Sequence, residues 1–560
     1  MKRREVLKIM GASTLFYLTG CTSSKLKPFK NEKKKSAIDP NFNWSAISPI
    51  NRDRDKITGP HWSGDNPEFM HQVLWDKAAF IKSIGGLPPI SEKTQLVIIG
   101  GGMSGLMLAH HLKEKAPIIL EQNQRMGGNA KGETWNGQHY SIAAAYFVQP
   151  DANSKEDQFL KEIGAWDIVT VKKGEDAVIL DGKMVEGFHQ GSTAGKAKTQ
   201  FIKFEEYIND IAHSKNGALF PDIPYTDSKT KKRVHELDKE SLYNHLTKIL
   251  GKLHPQLETA IEHYCWSSLG GASTEISAAA GLNFLCGEVF NICVAKGGNA
   301  GIAEKILASL ANTMPVQNFR NGMLVFDVKQ LPDGVEISYI DQQSKIVKRI
   351  KSDYVAMSCP KFIAAKCLDQ MENSRLELIK KLKYRSYMVA NVLLKKPFNP
   401  HYYDVYLLGD GKTDINNPEV SSQEQKATDI CIANFSDHND NQSILTLYRG
   451  IPYDNFRPTL LDEGSYDTFK KEFTEQAKEL TQILGLSPAD IEDVRIARWG
   501  HPLPLAEVGL ISKGIVDKIN KPLGKRIYFC EQDNWMLPAF ETAMAESFKV
   551  SAILKPLLLK

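Results

Sequence analysis

The stretch VIIGGGMSGLMLAHHL, residues 97–112, restricts the possible folds more than any other part of the sequence. An apolar run of strand length leads directly into Gly100, Gly102 and Gly105, which have G-x-G-x-x-G spacing. The first glycine makes a tight turn, the second lets the main chain approach a diphosphate, and the third lets a helix pack closely on the strand. Ser104 lies in the first turn of that helix, whose N-terminal amides attract phosphates. The pattern predicts an α/β fold with a Rossmann-type, parallel-sheet domain that binds a dinucleotide.

An acidic residue follows where such a domain places one. Glu121 ends a second short apolar run, about 20 residues beyond the glycine turn. A carboxylate at this position hydrogen-bonds the ribose hydroxyls of adenosine and repels a 2′-phosphate, so NADP is not expected.

The segment that begins with that acid, EQNQRMGGNA (residues 121–130), resembles the flavin-containing amine oxidase superfamily, which includes protoporphyrinogen oxidases and carotenoid desaturases. In that superfamily the ribose-binding acid is followed by Arg-x-Gly-Gly, which Arg125, Gly127 and Gly128 match. The resemblance implies FAD as the cofactor. It also implies that Arg125 neutralises the diphosphate and that the paired glycines let the chain pass close to the flavin.

The resemblance returns near the C-terminus, in RIYFCEQDNWMLPAFETAMAESF, residues 526–548. It implies that Gln532 or Asp533 contacts the ribityl chain, although Glu531 stands where the superfamily has a glycine. Phe540 would begin a helix whose amides face the flavin. By the same analogy, the main chain of Met323 would contact the adenine.

Three segments carry these similarities, and the chain between them shows no readable match. Residues 94–150, 295–360 and 515–557 are expected to form the FAD-binding domain. Residues 151–294, mostly helical in pattern, and 361–514, with strands and one amphipathic helix, are expected to form an inserted α+β substrate domain. The substrate would lie between the two domains.

Fewer sequence patterns indicate which residues would face the flavin. Many amine oxidases carry a lysine near flavin N5, on the strand before a Lys-x-Pro-Phe segment. Alignment of KKPF, residues 395–398, places Val389 at that position, with Asn391 the nearest polar residue. Tyr146 and Trp535 are the other candidates for the catalytic site, with packing in the core as the alternative for both.

The resemblance implies an enzyme that oxidises an amine or a related small substrate by hydride transfer to flavin N5. The missing lysine keeps other functions open. One is a desaturase or isomerase of a lipophilic polyene, and another is a non-catalytic flavin-binding module. An electron-transfer subunit is the third.

The first 21 residues, MKRREVLKIMGASTLFYLTGC, resemble a twin-arginine export signal that ends in a lipobox. This implies recognition by the twin-arginine export machinery and a lipid anchor at Cys21, which would tether an exported, periplasmic or cell-envelope lipoprotein to a membrane. Residues 22–45 are polar and lysine-rich, and a flexible tether is expected there.

Charge and cysteine content exclude some functions. The formal net charge is only +4 over 560 residues, so no nucleic-acid partner is expected. The seven other cysteines show no CxxC pair and no metal-ligand spacing. We expect them to be small, buried apolar side chains, and we expect no metal site.

Overall fold

A computed structural model describes residues 42–66, 68–462 and 464–559. The strands, in chain order, are β1 (Ile50–Asn51), β2 (Ser63–Gly64), β3 (Glu92–Ile99), β4 (Ile118–Leu120), β5 (Gly132–Trp135), β6 (Gln138–Ser141), β7 (Tyr146–Val148), β8 (Val169–Lys172), β9 (Ala177–Leu180), β10 (Lys183–Val185), β11 (Ile292–Ala295), β12 (Phe319–Arg320), β13 (Met323–Leu331), β14 (Gly334–Asp341), β15 (Val347–Met357), β16 (Tyr384–Leu394), β17 (Asp404–Leu407), β18 (Asp429–Ile432), β19 (Ser443–Gly450), β20 (Ile491–Pro504) and β21 (Ile527–Phe529).

The α-helices surround these strands. In chain order they are α1 (Trp44–Ile47), α2 (Glu68–Leu74), α3 (Lys77–Ser83), α4 (Met103–His111), α5 (Lys155–Glu162), α6 (Lys198–Ala212), α7 (Ser228–Leu237), α8 (Leu242–Leu250), α9 (Pro255–Leu269), α10 (Ala278–Gly287), α11 (Asn299–Ala311), α12 (Lys361–Cys367), α13 (Asn373–Ile379), α14 (Pro418–Gln425), α15 (Arg457–Leu461), α16 (Ser465–Ile483), α17 (Ile515–Ile519) and α18 (Phe540–Leu557).

A parallel sheet in the order β12-β4-β3-β15 forms the centre of the dinucleotide-binding domain, and β21 adds to the C-terminal end of β15. The register aligns Val97 with Ile118 on one side and with Val355 on the other, and Val355 with Ile527. Residues 96–99 of β3 are fully buried, as expected for a parallel strand covered on both faces. The predicted α/β fold with a Rossmann-type domain is confirmed.

The two ends of the described chain meet on one face of this sheet. Helix α18 packs along α4, and α11 lies on the other side of α4. Buried apolar residues fill this layer, among them Leu106, Leu108, Ile302, Met544 and Val550. The antiparallel strands β14 and β13 continue the same sheet beyond β15, and helix α12 packs on β13. The C-terminal helix is therefore part of the dinucleotide-binding domain.

The second large sheet has eight strands in the order β10-β9-β17-β18-β19-β16-β20-β2. The central strand β16 is buried along its whole length. Phe469, Phe473 and Ala477 of α16 pack on one face of this sheet, while the other face lies on residues 140–146 of the dinucleotide-binding domain. Helices α6 to α10 form a separate helical layer. Sheet and helices together form an α+β unit, as expected of the substrate domain.

Several boundaries differ from the sequence prediction. Residues 1–41, which include the export signal, Cys21 and most of the tether, lie outside the described residues. The tether was predicted to reach residue 45, but α1 begins at Trp44 and β1 pairs with β5. Helices α12 and α13 pack with β13 and α17, although residues 361–379 were assigned to the substrate domain. No described helix is both long and apolar enough to cross a membrane. All seven cysteines in the described ranges are free thiols, and only Cys359 is not fully buried.

Candidate functional site

The glycine turn after β3 has no room for side chains at two positions. Gly100 has φ +113°, and a Cβ there would lie 2.2 Å from the carbonyl oxygen of Ser358. A Cβ at Gly105 would lie 2.0 Å from the carbonyl oxygen of Gly100. Gly102 is the N-cap of α4, and Ser104 is buried in the first turn. The first amides of a helix have no partner within it, so those of α4 are available to an anion.

The Arg-x-Gly-Gly segment closes on this turn. The amide of Gly127 donates to the carbonyl of Gly101 at 2.8 Å. Gly128 has φ +59°, and a Cβ there would lie 2.9 Å from the Cα of Gly102. The two main chains touch, so the two glycine motifs form one surface without side chains. We call this surface, formed by residues 100–105 and 127–128, the glycine cradle.

Glu121 is fixed at the edge of the cradle. Its side chain is buried, and its two oxygens accept hydrogen bonds from the amides of Gly101 at 2.7 Å and Asn123 at 2.8 Å. Its carbonyl accepts the amide of Met323 at 2.8 Å. The carboxylate is therefore positioned for the predicted ribose contact. Met323 lies beside Glu121, but the amide of Met323 already donates to the Glu121 carbonyl.

The guanidinium of Arg125 is engaged by the N-terminal segment. Nη1 donates to the carbonyl oxygens of Ser45 at 2.7 Å and Ser48 at 3.3 Å, and Nη2 donates to Oδ1 of Asn51 at 2.9 Å. The side chain thus fastens residues 45–51 to the cradle. Its predicted contact with a diphosphate stays a prediction, and these bonds leave it fewer donors for that role.

The structure separates the two residues proposed for the ribityl contact. The carboxylate of Asp533 is buried, and it accepts the amide of Lys361 at 2.9 Å and the hydroxyl of Tyr384 at 2.5 Å. The half-buried Gln532 donates from Nε2 to the carbonyl of Pro502 at 3.0 Å. Gln532 therefore lies in the cleft between the domains, whereas Asp533 is turned into the protein.

Asn129 reaches the same carbonyl of Pro502, with Nδ2 donating at 3.1 Å. Asn129 directly follows the Arg-x-Gly-Gly segment, and Gln532 directly follows the strand-to-turn segment near the C-terminus. The two distant segments therefore meet at one carbonyl of the substrate-domain sheet.

Glu531 stands where the superfamily has a glycine, and its side chain points inward. The ammonium of Lys361 contacts both the Glu531 carboxylate and Oδ1 of Asn534, and all three side chains are buried. Burial raises the pKa of Glu531, and the neighbouring ammonium opposes that rise. This cluster braces the turn that presents Gln532.

The substrate-domain sheet contacts the dinucleotide-binding domain near residues 142–143. Nε1 of Trp499 donates to the carbonyl of Ile142 and the hydroxyl of Tyr448 donates to the carbonyl of Ala143, both at 2.8 Å. Val389 lies fully buried between Tyr448 and Ala497 in the register. Val389, which aligns in sequence with the lysine of many amine oxidases, is therefore a buried apolar side chain at the centre of this sheet.

Asn391 lies on the same face of β16, one position further along. Its Oδ1 accepts the hydroxyl of Thr446 at 2.8 Å. Its Nδ2 is buried and makes no hydrogen bond to any described residue. Asn391 is thus a polar group with an unused donor on the face that covers residues 140–146.

Tyr146 borders a buried polar cluster. Its hydroxyl donates to Oε1 of Glu288 at 3.4 Å, and the hydroxyl of Tyr264 donates to the same oxygen at 2.9 Å. The rings of Tyr146 and Tyr403 make an edge contact at 5.9 Å. Burial raises the pKa of Glu288 to about 7, with the charge of Asp176 adding to the rise. Tyr146 is therefore next to a group that can change protonation near neutral pH.

Trp535 does not join Tyr146. Its Nε1 donates to Oε1 of Glu546 at 2.8 Å, and its ring makes an edge contact with Tyr225 at 4.8 Å, on the side of the helical layer. Phe540, in contrast, stacks on Phe147 at 4.7 Å and begins α18 beside β7. The structure thus brings Phe540 near Tyr146 and separates Trp535 from both.

Residues 100–128 pass a test of fit for a dinucleotide. The glycine cradle admits a close approach of phosphates, the helix N-terminus supplies amides, and Glu121 supplies the ribose acceptor.

Glu288, Tyr448 and the buried Lys131 were missed in the sequence. The only available signal was for Lys131, a charged residue in the otherwise small and polar run after the paired glycines.

Comparisons with known proteins agree with this geometry. A family model described as an NAD(P)-binding Rossmann-like domain matches residues 98–163. Oxidoreductase PigB from Serratia sp. (strain ATCC 39006) is 25% identical over 518 residues, covering 83% of this chain and 76% of that protein.

Solved structures of amine oxidases share the fold. Wild-type putrescine oxidase bound to putrescine aligns with a TM-score of 0.60 at 15% identity, covering 83% of this chain and 99% of that one. Cyclohexylamine oxidase from Brevibacterium oxydans IH-35A aligns with a TM-score of 0.59 at 14% identity, covering 83% and 100%. The chain therefore has the two-domain fold of these enzymes.

Proposed function

We propose that this chain is an FAD-dependent oxidoreductase of the amine oxidase type that oxidises an amine or a related small substrate. The observation that carries the proposal is the contact in which Asn129 and Gln532 both donate to the carbonyl of Pro502. There the segment after the glycine cradle, the C-terminal turn and the substrate domain meet. A dinucleotide held by the cradle would extend towards this cleft, where a substrate would also lie.

The relatives support the chemistry. One is named an oxidoreductase, and the two structures that share the fold are oxidases of putrescine and cyclohexylamine, both amines. Because fold alone does not fix a substrate, these names support the amine class and no particular amine.

The residues have separable roles in this proposal. The carboxylate of Glu121 would hold the adenosine ribose, and the amides of α4 would hold the diphosphate. Gln532 would contact the ribityl chain, and the N-terminus of α18 at Phe540 would face the flavin ring. Bound FAD would supply the redox chemistry, by accepting a hydride at N5.

The substrate-domain sheet would exclude water from the reacting atoms. Trp499 and Tyr448 hold the sheet on residues 142–143, and Val389, the neighbour of Tyr448 on β16, presents a buried apolar surface. Tyr146, in the segment that this sheet covers, and its partner Glu288 supply polar groups beside this surface. An apolar face with polar groups at one end suits a substrate with a hydrocarbon part and one polar group.

A desaturase or isomerase of a lipophilic polyene is the second candidate, and Val389 favours it. An apolar residue replaces the lysine of many amine oxidases, so rapid reaction of the reduced enzyme with O₂ is not expected. A polyene would contact the apolar face and offer no polar group to Tyr146 and Glu288, which hydrogen-bond each other.

Anaerobic reduction by substrates distinguishes these functions. The purified holoprotein is mixed with amines, amino acids and polyenes, and bleaching of the visible flavin absorption is followed before and after air is admitted. The proposal expects bleaching by an amine and slow recovery in air. Reduction by no compound of the panel would favour the non-catalytic or electron-transfer function instead.

Export and membrane anchoring belong to the same proposal. The twin-arginine pattern at residues 1–21 supports the transport of a folded protein, which a chain that takes up FAD in the cytoplasm would need. Cys21 at the end of the lipobox supports a lipid anchor. Microscopy and membrane fractionation of the Cys21→Ala variant would test this, because loss of the anchor should release the protein from the membrane.

A further inference from the structure

Lys131 is a buried lysine between the glycine cradle and β5. Its side chain is only 7% exposed. Its carbonyl accepts the amide of Ile142 at 3.0 Å, so the main chain is fixed. The ammonium lies 5.9 Å from the centre of the Trp499 ring, in the substrate domain. Lys131 therefore points from one domain towards the other, across the cleft.

This ammonium has no anionic partner. Within the described part of the chain, the ammonium contacts the Trp499 ring, and no hydrogen bond or ion pair within 4.0 Å joins it to another group. Two carboxylates act on it electrostatically, and both accept main-chain amides: Glu121 accepts those of Gly101 and Asn123, and Asp65 accepts that of Gly500 at 2.8 Å. Burial lowers the pKa of Lys131, and the charges of Glu121 and Asp65 oppose this shift.

An unpaired cation in a buried position is costly to the folded protein. The contact with Trp499 does little to offset this cost, because 5.9 Å is near the outer limit of about 6 Å for cation–π attraction. Such a group indicates that an anion completes the site. Lys131 directly follows the cradle: the preceding Ala130 donates its amide to the carbonyl of Gly127 at 2.9 Å, beside the place where a dinucleotide carries its diphosphate.

We propose that Lys131 supplies the positive charge that binds the diphosphate of FAD, while Arg125 holds the N-terminal segment. The proposal rests on the FAD binding put forward above. It assigns Arg125 and Lys131 different roles: the guanidinium of Arg125 has main-chain partners at 2.7 Å and 3.3 Å, and the ammonium of Lys131 has none. A charge-assisted contact with a phosphate would stabilise the bound dinucleotide and also remove the cost of the unpaired ammonium.

The test is a titration of the apoprotein with FAD, ADP and riboflavin. Lys131→Met removes the charge, Lys131→Arg keeps it, and Lys183→Met is the matched control on the exposed edge strand β10. We expect Lys131→Met to weaken FAD and ADP equally, by about tenfold to a hundredfold. Riboflavin, which has no phosphate, should bind unchanged. Lys131→Arg should keep most of the affinity, and Lys183→Met should keep all of it.

Thermal unfolding of the apoprotein gives a second readout. Because the ammonium is unpaired without the cofactor, Lys131→Met should leave the apoprotein as stable as the wild type or more stable. A merely structural lysine would give the opposite result, a less stable apoprotein.

Two outcomes would overturn the assignment while FAD binding by the wild type stands. Unchanged FAD and ADP affinities in Lys131→Met are one. The other is weaker FAD binding with unchanged ADP binding, which would place the lysine at the flavin. Failure of the wild-type chain to bind FAD at all would refute the proposed function itself.

Discussion

Two substitutions in the cradle should have different effects. Gly105→Ala should lower the stability of the fold, and Gly102→Ala should weaken FAD binding. At Gly105 the new Cβ would lie 2.0 Å from the carbonyl oxygen of Gly100, whereas real Cβ contacts are essentially never under 3.0 Å. Helix α4 would have to move by about 1 Å to restore a separation of 3.0 Å. Overpacking of this kind costs about 1–3 kcal/mol, which the better helix propensity of alanine, about 1 kcal/mol, offsets only in part.

At Gly102 the new Cβ would lie 3.5 Å from the Cα of Gly128, an ordinary contact, and its φ of −74° suits any residue. The weaker N-cap and the stiffer unfolded chain oppose each other, so stability should stay within about 0.5 kcal/mol of the wild type. The methyl group would however stand where the main chain approaches the diphosphate. We expect FAD binding to weaken by at least about tenfold.

The assay combines urea unfolding of the apoprotein, followed by tryptophan fluorescence, with titration by FAD. Gly105→Ala should shift the unfolding midpoint to lower urea, and Gly102→Ala should change only the FAD affinity. A Gly105→Ala protein as stable as the wild type would refute the packing argument. Normal FAD affinity in Gly102→Ala would refute the assignment of the cradle.

Three further predictions concern side chains around the site. Arg125→Met should loosen residues 45–51, and limited proteolysis should cut that segment faster than in the wild type. Lys361→Met leaves the buried Glu531 without its cation and should cost about 3–5 kcal/mol in urea unfolding, most of which the added change Glu531→Gln should restore. Burial raises the pKa of Glu288 from 4.5 to about 7, so the folded state holds this proton more tightly. Its stabilisation is full below pH 4.5 and lost as the pH rises through about 7, and the stability difference between wild type and Glu288→Gln should fall over that range.

The dinucleotide-binding domain was predictable because its signals are local. The glycine spacing, Glu121 and the strand at 527–529 each have a short pattern with a physical reason, and the structure places them together.

The partners of Arg125 were not predictable, because the segment that holds them has the composition of a linker. A local pattern gives no sign that β1 pairs with β5. The neighbours of Trp535 were equally hidden. Its side chain bonds Glu546 on the next helix and meets Tyr225 from a distant helical layer, and neither contact follows from sequence spacing.

The eight-stranded sheet could not be predicted from the sequence, for a related reason. Its strands come from residues 63–64, 177–185 and 384–504, so neighbours in space are far apart in the chain. The position of Val389 on β16 could be aligned, but its neighbours Tyr448 and Ala497 could not.

The most direct test of the central claim is the amount of FAD that the full chain carries. The protein is purified, its visible spectrum is recorded, and the nucleotide released on denaturation is identified and quantified. We predict a yellow protein that releases FAD in a one-to-one ratio with the chain. A colourless, folded protein that takes up no added FAD would contradict the account.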